Sequence, residues 1–288
     1  MRIAVLGSRG QLGAAFVHAC TGRYDVLAFD RAALDVTDHA AVIAAMHRAR
    51  PDAIVNCSGY NAVDAAESHP VDAMLVNSCA VRSLAHAARE LEAVFVQFSS
   101  DFVFDGSASA PMTEDEPPNP RCVYATSKLL GEWFAADAPM SYVLRVESLF
   151  GSAPGSRAKG SVESILDGLR AGRVVRVFGD RTVSPTHVGD ASRATLELLE
   201  RRPSPGVYHC VNSGSGTWLD VATESARLLG VVPQFDVVSL ADVVLPVVRP
   251  QYCALSNAKL ASVGIHMPSW QDGLARHIAP VDAAIRVE

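Results

Sequence analysis

Residues 1–13 read MRIAVLGSRGQLG. The run RIAVL is short and apolar and stops at Gly7, whereas QLGAAFVHAC, after Gly10, carries its apolar residues at helical spacing. Glycines at 7, 10 and 13 therefore stand in a GxxGxxG pattern between a strand and a helix. That context separates a phosphate-binding turn from a chance cluster, because glycine permits the tight turn and lets a pyrophosphate approach the first amides of the helix. Gly7, Arg9, Gly10, Gln11, Leu12 and Gly13 are expected to hold a dinucleotide.

The alternation continues outward from this stretch. DVLAF (25–29), AIVNCS (53–58) and AVFVQFSS (93–100) read as strands, separated by amphipathic stretches such as HAAVIAAMHRAR (39–50). Apolar strands alternating with helices imply a parallel sheet covered on both faces, a Rossmann-type doubly wound α/β fold. Residues 105–122 contain four prolines and break the rhythm. They are expected to form a long surface loop that walls the site. GSAPGSRAKGS (151–161) reads as a second loop, and TWLDVATESARLLG (217–230) as a helix capped by Thr217 with Asp220 three residues on. An excursion, a return and a second excursion predict a Rossmann domain over 1–150 with a return segment at about 179–214. The remaining pieces, 151–178 and 215–288, form a smaller C-terminal α/β substrate lobe.

Composition narrows the class. The chain has 288 residues, 49% apolar and 19% charged, which suits a well-buried cytoplasmic enzyme. A formal charge of −6 argues against nucleic acid as a partner. No apolar run reaches the length of a membrane span. Cys20, Cys57, Cys79, Cys122, Cys210 and Cys253 show no CxxC pair and no histidine at ligand spacing, so they read as reduced and mostly buried, and no metal is expected.

The cofactor's identity stays open between NADH and NADPH. Asp30 follows the second strand, about 20 residues past the glycine loop, where a carboxylate hydrogen-bonds the adenosine ribose. Arg31 and Arg9 supply guanidinium groups suited to a 2′-phosphate. Asp35 and Val36 lie where the next loop meets the adenine, with a polar turn followed by a core valine as the alternative. Ser58 and Gly59 close the third strand at the carboxyl edge, where such sheets bind ligands.

Carbonyl reduction needs a hydride donor and an acid aimed at the carbonyl oxygen. VYATSK (123–128) places Tyr124 and Lys128 one turn apart on a helix face. A phenol has a pKa near 10, and a neighbouring ammonium is expected to lower it toward working pH. Lys128 can also hold the nicotinamide ribose. Ser100, at the end of the preceding strand, is expected to hydrogen-bond the same carbonyl. The pair alone is common on ordinary helices; the glycine loop and Ser100 make it a candidate catalytic set.

These pieces together resemble an extended short-chain dehydrogenase/reductase, and within that group the dTDP-4-dehydrorhamnose reductases. The matching stretches are GSRGQLG, YNAVDAAE (60–67), SSDFVFDG (99–106), YATSKLLGE (124–132), SPT (184–186), GVYHCVNSGSGTW (206–218) and RPQYCALSNAKL (249–260), in the family's order over nearly the whole chain. The resemblance implies NAD(P)H-dependent reduction of the C4 ketone of a nucleotide-activated 6-deoxyhexose, dTDP-4-dehydrorhamnose or a related dTDP-4-ketosugar. Tyr124 supplies the proton, and the protein acts as a monomer or homodimer. Ser100 falls where the family usually has threonine. Asp101-Phe102 follows it where related dehydratases have Asp-Glu, which disfavours dehydration.

Three departures surround the expected sugar pocket: Arg145-Val146-Glu147-Ser148 for the common Arg-Thr-Ser-Trp, Asp180-Arg181 for Asp-Gln, and a single arginine, Arg249, before Pro250. The family's magnesium-binding acids are not evident. Asn61, Val63, Phe102 and Arg249 are the pocket candidates beside Ser100, Arg249 facing either the diphosphate or a surface carboxylate. His209 and Trp218 read as core. Asn77 reads as a partner for local backbone. The alternative function is a non-catalytic NADP-binding regulatory subunit similar to the methionine adenosyltransferase β-subunits; an intact Ser100, Tyr124 and Lys128 favours the enzyme.

Overall fold

Strand alternation sets the sheet. In β1 (Arg2–Leu6), Ile3 and Val5 enter one apolar core while Ala4 and Leu6 enter another, and all four are fully buried. The other strands are β2 (Asp25–Phe29), β3 (Ala53–Asn56), β4 (Val94–Ser100), β5 (Ser141–Val146) and β6 (Gly206–His209). They lie in the order β6-β5-β4-β3-β1-β2, with every pairing parallel. This computed structural model describes residues 1–154, 156 and 160–279. Parts of two expected segments, 155 and 157–159 of the 151–161 loop and 280–288 of the lobe, lie outside the described residues.

Helices cover both faces, as the fully apolar strands require. On one side pack α1 (Gln11–Cys20) and α6 (Val188–Arg201), through Leu12, Phe16, Ala191 and Leu198. On the other side pack α2 (His39–Ala49), α3 (Ala80–Glu90) and α4 (Val123–Ala135), through Val42, Met46, Leu84 and Ala135. The chain leaves β1 for β2 in one direction and crosses to β3 in the other. Such a reversal opens a crevice at the carboxyl ends of β1 and β3.

A third core draws on both excursions. Residues of α5 (Ser161–Arg170), α7 (Trp218–Leu229) and α8 (Trp270–Ile278) bury Ile165, Leu166, Trp218, Val221, Trp270 and Leu274 together with Phe150. Val175–Phe178 pairs in parallel with Phe235–Val238 beside it. Thr217 caps α7: its hydroxyl accepts the Asp220 amide at 3.1 Å, and the Asp220 carboxylate accepts the Thr217 amide at 2.8 Å, an arrangement that stabilises a helix by about 1 kcal/mol. Leu260, Ile265 and Met267 instead join the core beneath α1 and α6.

Between β3 and α3 the helix widens into one π turn, Leu75–Cys79. The extra residue turns Asn77 inward, where it accepts the Tyr60 amide at 2.9 Å and donates to the Tyr60 carbonyl at 3.0 Å and to Ser127 Oγ at 2.9 Å. Backbone does satisfy this side chain, but that of Tyr60, 17 residues away, together with the Ser127 hydroxyl, and not the local backbone expected. The Asn77 carbonyl packs so closely on Gly131 of α4 that a side chain there would collide with it. All six cysteines are free; Cys20, Cys210 and Cys253 are buried and Cys79 is exposed. Among the described residues, no helix is long and apolar enough to cross a membrane.

Candidate active site

The glycine loop sits at the crevice between β1 and β3. Gly7 adopts φ +69°, and a Cβ there would lie 2.7 Å from the Ser58 backbone nitrogen, so only glycine fits the turn. Its carbonyl accepts the Gly10 amide at 2.9 Å, while the Ser8 amide donates to Phe29 of β2 at 3.1 Å. Gly10 caps α1 without a side-chain partner for the first-turn amides, the arrangement that suits a phosphate. Gly13 packs against the Gly7 carbonyl and lines neither cavity described below.

Two neighbouring cavities open from this loop. One of about 320 Å³ is lined by Gly7, Arg9, Gly10, Asp30, Arg31, Asp35, Val36, Ser58 and Gly59, among others. At its rim, Arg9 Nε lies 2.8 Å from Asp30 Oδ2. The carboxylate expected for a ribose and the guanidinium expected for a 2′-phosphate are thus paired with each other. The other cavity, of about 750 Å³, takes in Gly10, Gln11, Leu12, Ser58, Asn61, Val63, Ser100, Phe102, Tyr124, Lys128 and Arg249. The predicted cofactor residues apart from Gly13, and all the predicted catalytic and sugar residues, therefore meet in one continuous crevice. The glycine cradle, the open helix terminus and the paired cavities fit a nicotinamide dinucleotide.

Strand β4 delivers Ser100 and helix α4 delivers Tyr124 and Lys128, all three buried. Ser100 Oγ donates to Asp101 Oδ1 at 2.7 Å and accepts the Phe102 amide at 3.2 Å. The Tyr124 ring stands edge-on to Phe102, with centroids 5.5 Å apart. Phe102 in turn lies between two guanidinium groups, Arg249 at 5.7 Å and Arg181 at 5.9 Å from its centroid, contacts of cation–π type.

The acid–base pair differs from the sequence expectation. Burial holds Tyr124 above the ordinary tyrosine range; the Ser100 side chain opposes this and the Asp101 charge adds to it. Lys128 is not the dominant influence on the phenol. Its Nζ lies 5.8 Å from the Tyr124 ring centroid and donates to the Phe98 carbonyl at 3.3 Å. Burial also brings Lys128 down to about 8, against the opposing charges of Glu132 and Cys57.

A second correction concerns residues 105–122. None of them lines the larger cavity. Met112 instead buries itself with Val103, Phe104, Leu129, Val211 and Leu255, and its amide donates to the Ala254 carbonyl at 2.9 Å. Glu114 accepts the His209 amide at 2.6 Å. An apolar anchor, one backbone bond and one side-chain bond hold the loop outside the cleft. The wall comes from elsewhere: Asp101, Glu147, Arg181 and Trp218 line the cavity. Trp218, expected as core, is 5% exposed and does both jobs. Only the departures at Glu147 and Arg181 marked this wall in the sequence.

Arg249 meets a carboxylate, the second of its two expected settings. Its Nη2 donates to Asp64 Oδ1 at 2.6 Å, while Nη1 is buried with no hydrogen-bond partner among the described residues. One end of the fork is anchored and the other is left for a ligand.

Residues 1–283 match the family model described as RmlD substrate binding domain. The chain belongs to that family. Among its relatives, a dTDP-4-dehydrorhamnose reductase of Streptomyces griseus is 36% identical over 286 residues, 95% of this chain and 91% of the relative. A probable dTDP-4,6-dihydroxy-2-methyloxan-3-one 4-ketoreductase of Streptomyces antibioticus is 32% identical, covering 99% of this chain and 97% of the relative. The crystal structure of a Bacillus anthracis dTDP-4-dehydrorhamnose reductase in complex with NADP superposes with a TM-score of 0.90 at 28% identity, covering 96% of this chain and 98% of that one. This member of the family carries Ser100, Tyr124, Lys128 and the buried Glu147 in its cleft.

Proposed function

We propose that the protein reduces the C4 ketone of a dTDP-activated 4-keto-6-deoxyhexose with NAD(P)H. The observation that carries this reading is the convergence of Ser100, Tyr124 and Lys128 in one cleft, beside a glycine-loop cavity and facing Arg249. A bound dihydronicotinamide supplies the hydride. Tyr124 supplies the proton to the ketone oxygen, and Ser100 holds that oxygen in place. Lys128 fixes the ribose beside Gly59, whose space it borders.

The two excursions, 151–178 and 215–288, act as the lobe that grips the nucleotide sugar. Arg249 takes the diphosphate with its free Nη1, and Asn61, Val63 and Phe102 flank the sugar. The glycine loop with Asp30, Arg31, Asp35 and Val36 holds the adenosine half of the cofactor. The enzyme works in the cytoplasm, where nucleotide sugars and reduced nicotinamides are available, as a monomer or homodimer.

The test is direct. Purified protein is mixed with NADPH or NADH and dTDP-4-keto-6-deoxysugars of both C4-accessible epimeric series, and cofactor oxidation is followed with product analysis. Turnover with at least one ketosugar is expected, and Tyr124→Phe should lower it about 100-fold or more while cofactor affinity holds. Tight cofactor binding with no turnover on any of these substrates would instead favour the regulatory-subunit reading.

A further inference from the structure

Ser100 has one hydroxyl proton, and the structure shows where it goes. The Oγ–H donates to Asp101 Oδ1 at 2.7 Å, and the oxygen accepts the Phe102 amide at 3.2 Å. Arranged this way, Ser100 has no proton left for a substrate carbonyl. Something must take over the Asp101 side of that bond for Ser100 to serve the ketone.

Glu147 is placed to arrange this. Asp101, Glu147 and Cys253 bring one polar atom each to within 4.8 Å of one another, and all three residues are buried. Among the described residues, Asp101 Oδ2 is buried with no hydrogen-bond partner. Glu147 accepts the Ser184 amide and, at 3.3 Å, the Ser148 hydroxyl. The charged and titratable groups facing the pair are Arg181, Cys253 and Tyr124. Arg181 is the only cation among them, and it also bonds the Pro250 carbonyl at 3.0 Å. One guanidinium faces two carboxyl groups, so one negative charge is left to be neutralised by a proton.

We propose that Glu147 keeps one proton shared with Asp101, and that this proton turns the Ser100 hydroxyl toward the substrate ketone. With the proton on Asp101, the carboxyl donates to Ser100 Oγ and frees the Ser100 O–H for the carbonyl oxygen. No bond to carbon changes at this step: the proton stays within the pair, and the reduction consumes only the Tyr124 proton and the hydride. Asp101 and Glu147 are positioning residues. Burial raises both carboxyl groups above their usual range, which agrees with a retained proton. This inference rests on the reductase reading for its effect on catalysis but not for the proton itself.

The experiment uses Glu147→Gln, which keeps an amide oxygen for the Ser184 N–H. Losing the neighbouring acid lets Asp101 ionise at neutral pH and hold the Ser100 proton. Turnover should drop about tenfold at neutral pH with KM changed less than threefold, and it should recover as the pH is lowered and Asp101 is protonated. Ser100→Ala combined with Glu147→Gln should be no worse than Ser100→Ala alone. Asp101→Asn, whose amide donates to Ser100 at every pH, should restore turnover in the Glu147→Gln background. Independently of activity, the infrared spectrum of the native cofactor complex should show the carbonyl stretch of one buried protonated carboxyl group at neutral pH, lost in Glu147→Gln. A native pH profile in Glu147→Gln, a deficit equal at all pH values, or no such band in the native protein overturns the proposal. If Glu147→Gln fails to fold, the band in the native protein decides. A native protein that shows the band but reduces no ketosugar counts against the reductase reading and leaves the shared proton standing.

Discussion

Arg145 of β5 grips Glu132 of α4 with both prongs of its guanidinium: Nε to Oε1 at 2.9 Å and Nη2 to Oε2 at 2.7 Å, in a pair whose side chains are 3% and 4% exposed. Ser99 Oγ adds a bond to the same carboxylate at 2.5 Å. The pair sits one turn beyond Lys128, so the helix that carries Tyr124 is bolted to two strands of the sheet. Removing one partner from a buried pair strands the other charge. Glu132→Gln should lower stability by about 3 kcal/mol, read from urea melts, with activity per folded molecule falling as well because α4 loosens.

Lys128 has the opposite energetic sign. Burial brings it from the usual lysine value of 10.5 to about 8. A folded-state value below the unfolded one means that the neutral amine adds stability above the unfolded pKa and that this is lost as pH falls through about 8. Below that pH the protein carries a buried ammonium at a cost of about 3 kcal/mol. Lys128→Met should therefore be more stable than the native protein at pH 7, with the gap closing toward about pH 10.5, while losing activity. Thermal melts at several pH values across that window check the sign.

Activity should share this titration. Reduction in the native protein should decline as pH rises through about 8 and Lys128 loses its charge, with cofactor affinity declining in parallel. A kcat/KM profile flat from pH 7 to pH 9 would show that the ammonium has no part in the working site.

The Arg9–Asp30 pair bears on cofactor choice. Asp30 pairs with Arg9 at the rim of the smaller cavity, so removing its charge frees a guanidinium for a 2′-phosphate and leaves a weaker, neutral acceptor for the ribose hydroxyl. Asp30→Asn should move the NADPH to NADH ratio of kcat/KM about tenfold toward NADPH, equivalent to about 1.4 kcal/mol.

Arg249 should report on binding more than on chemistry. Its free Nη1 faces the cleft while Nη2 is anchored on Asp64. Arg249→Ala is expected to raise KM for the nucleotide sugar about 10- to 100-fold, with a smaller effect on kcat, since a charge-assisted bond contributes roughly 1.5–3 kcal/mol. Equal losses in kcat and kcat/KM would place the arginine at the reacting carbon instead.

The parts of this site that were legible in the sequence are those whose chemistry is local. Gly7 to Gly13 form one turn, and Tyr124 and Lys128 lie one turn apart, so spacing alone places them. Glu147, Arg181 and Trp218 meet only because three distant segments fold onto the end of the sheet, and nothing in their local spacing says so. Trp218 reads correctly as core, since a tryptophan at the start of a capped helix packs one, and its added place in the cavity wall carries no local signal. The loop at 105–122 misled through composition: prolines gave its exposure correctly, but the single apolar anchor Met112, which decides the side on which it packs, carries no periodic signal. The expected tuning of Tyr124 failed because helix spacing sets which face two residues share and not how deeply the protein buries them.

The π turn at Leu75–Cys79 differs from an ordinary helical turn by a single residue, yet it alone brings Asn77 to the Tyr60 backbone beside the nucleotide loop and to Ser127 between Tyr124 and Lys128. The gain or loss of one codon there would uncouple the loop from the catalytic helix while leaving overall identity to relatives almost untouched.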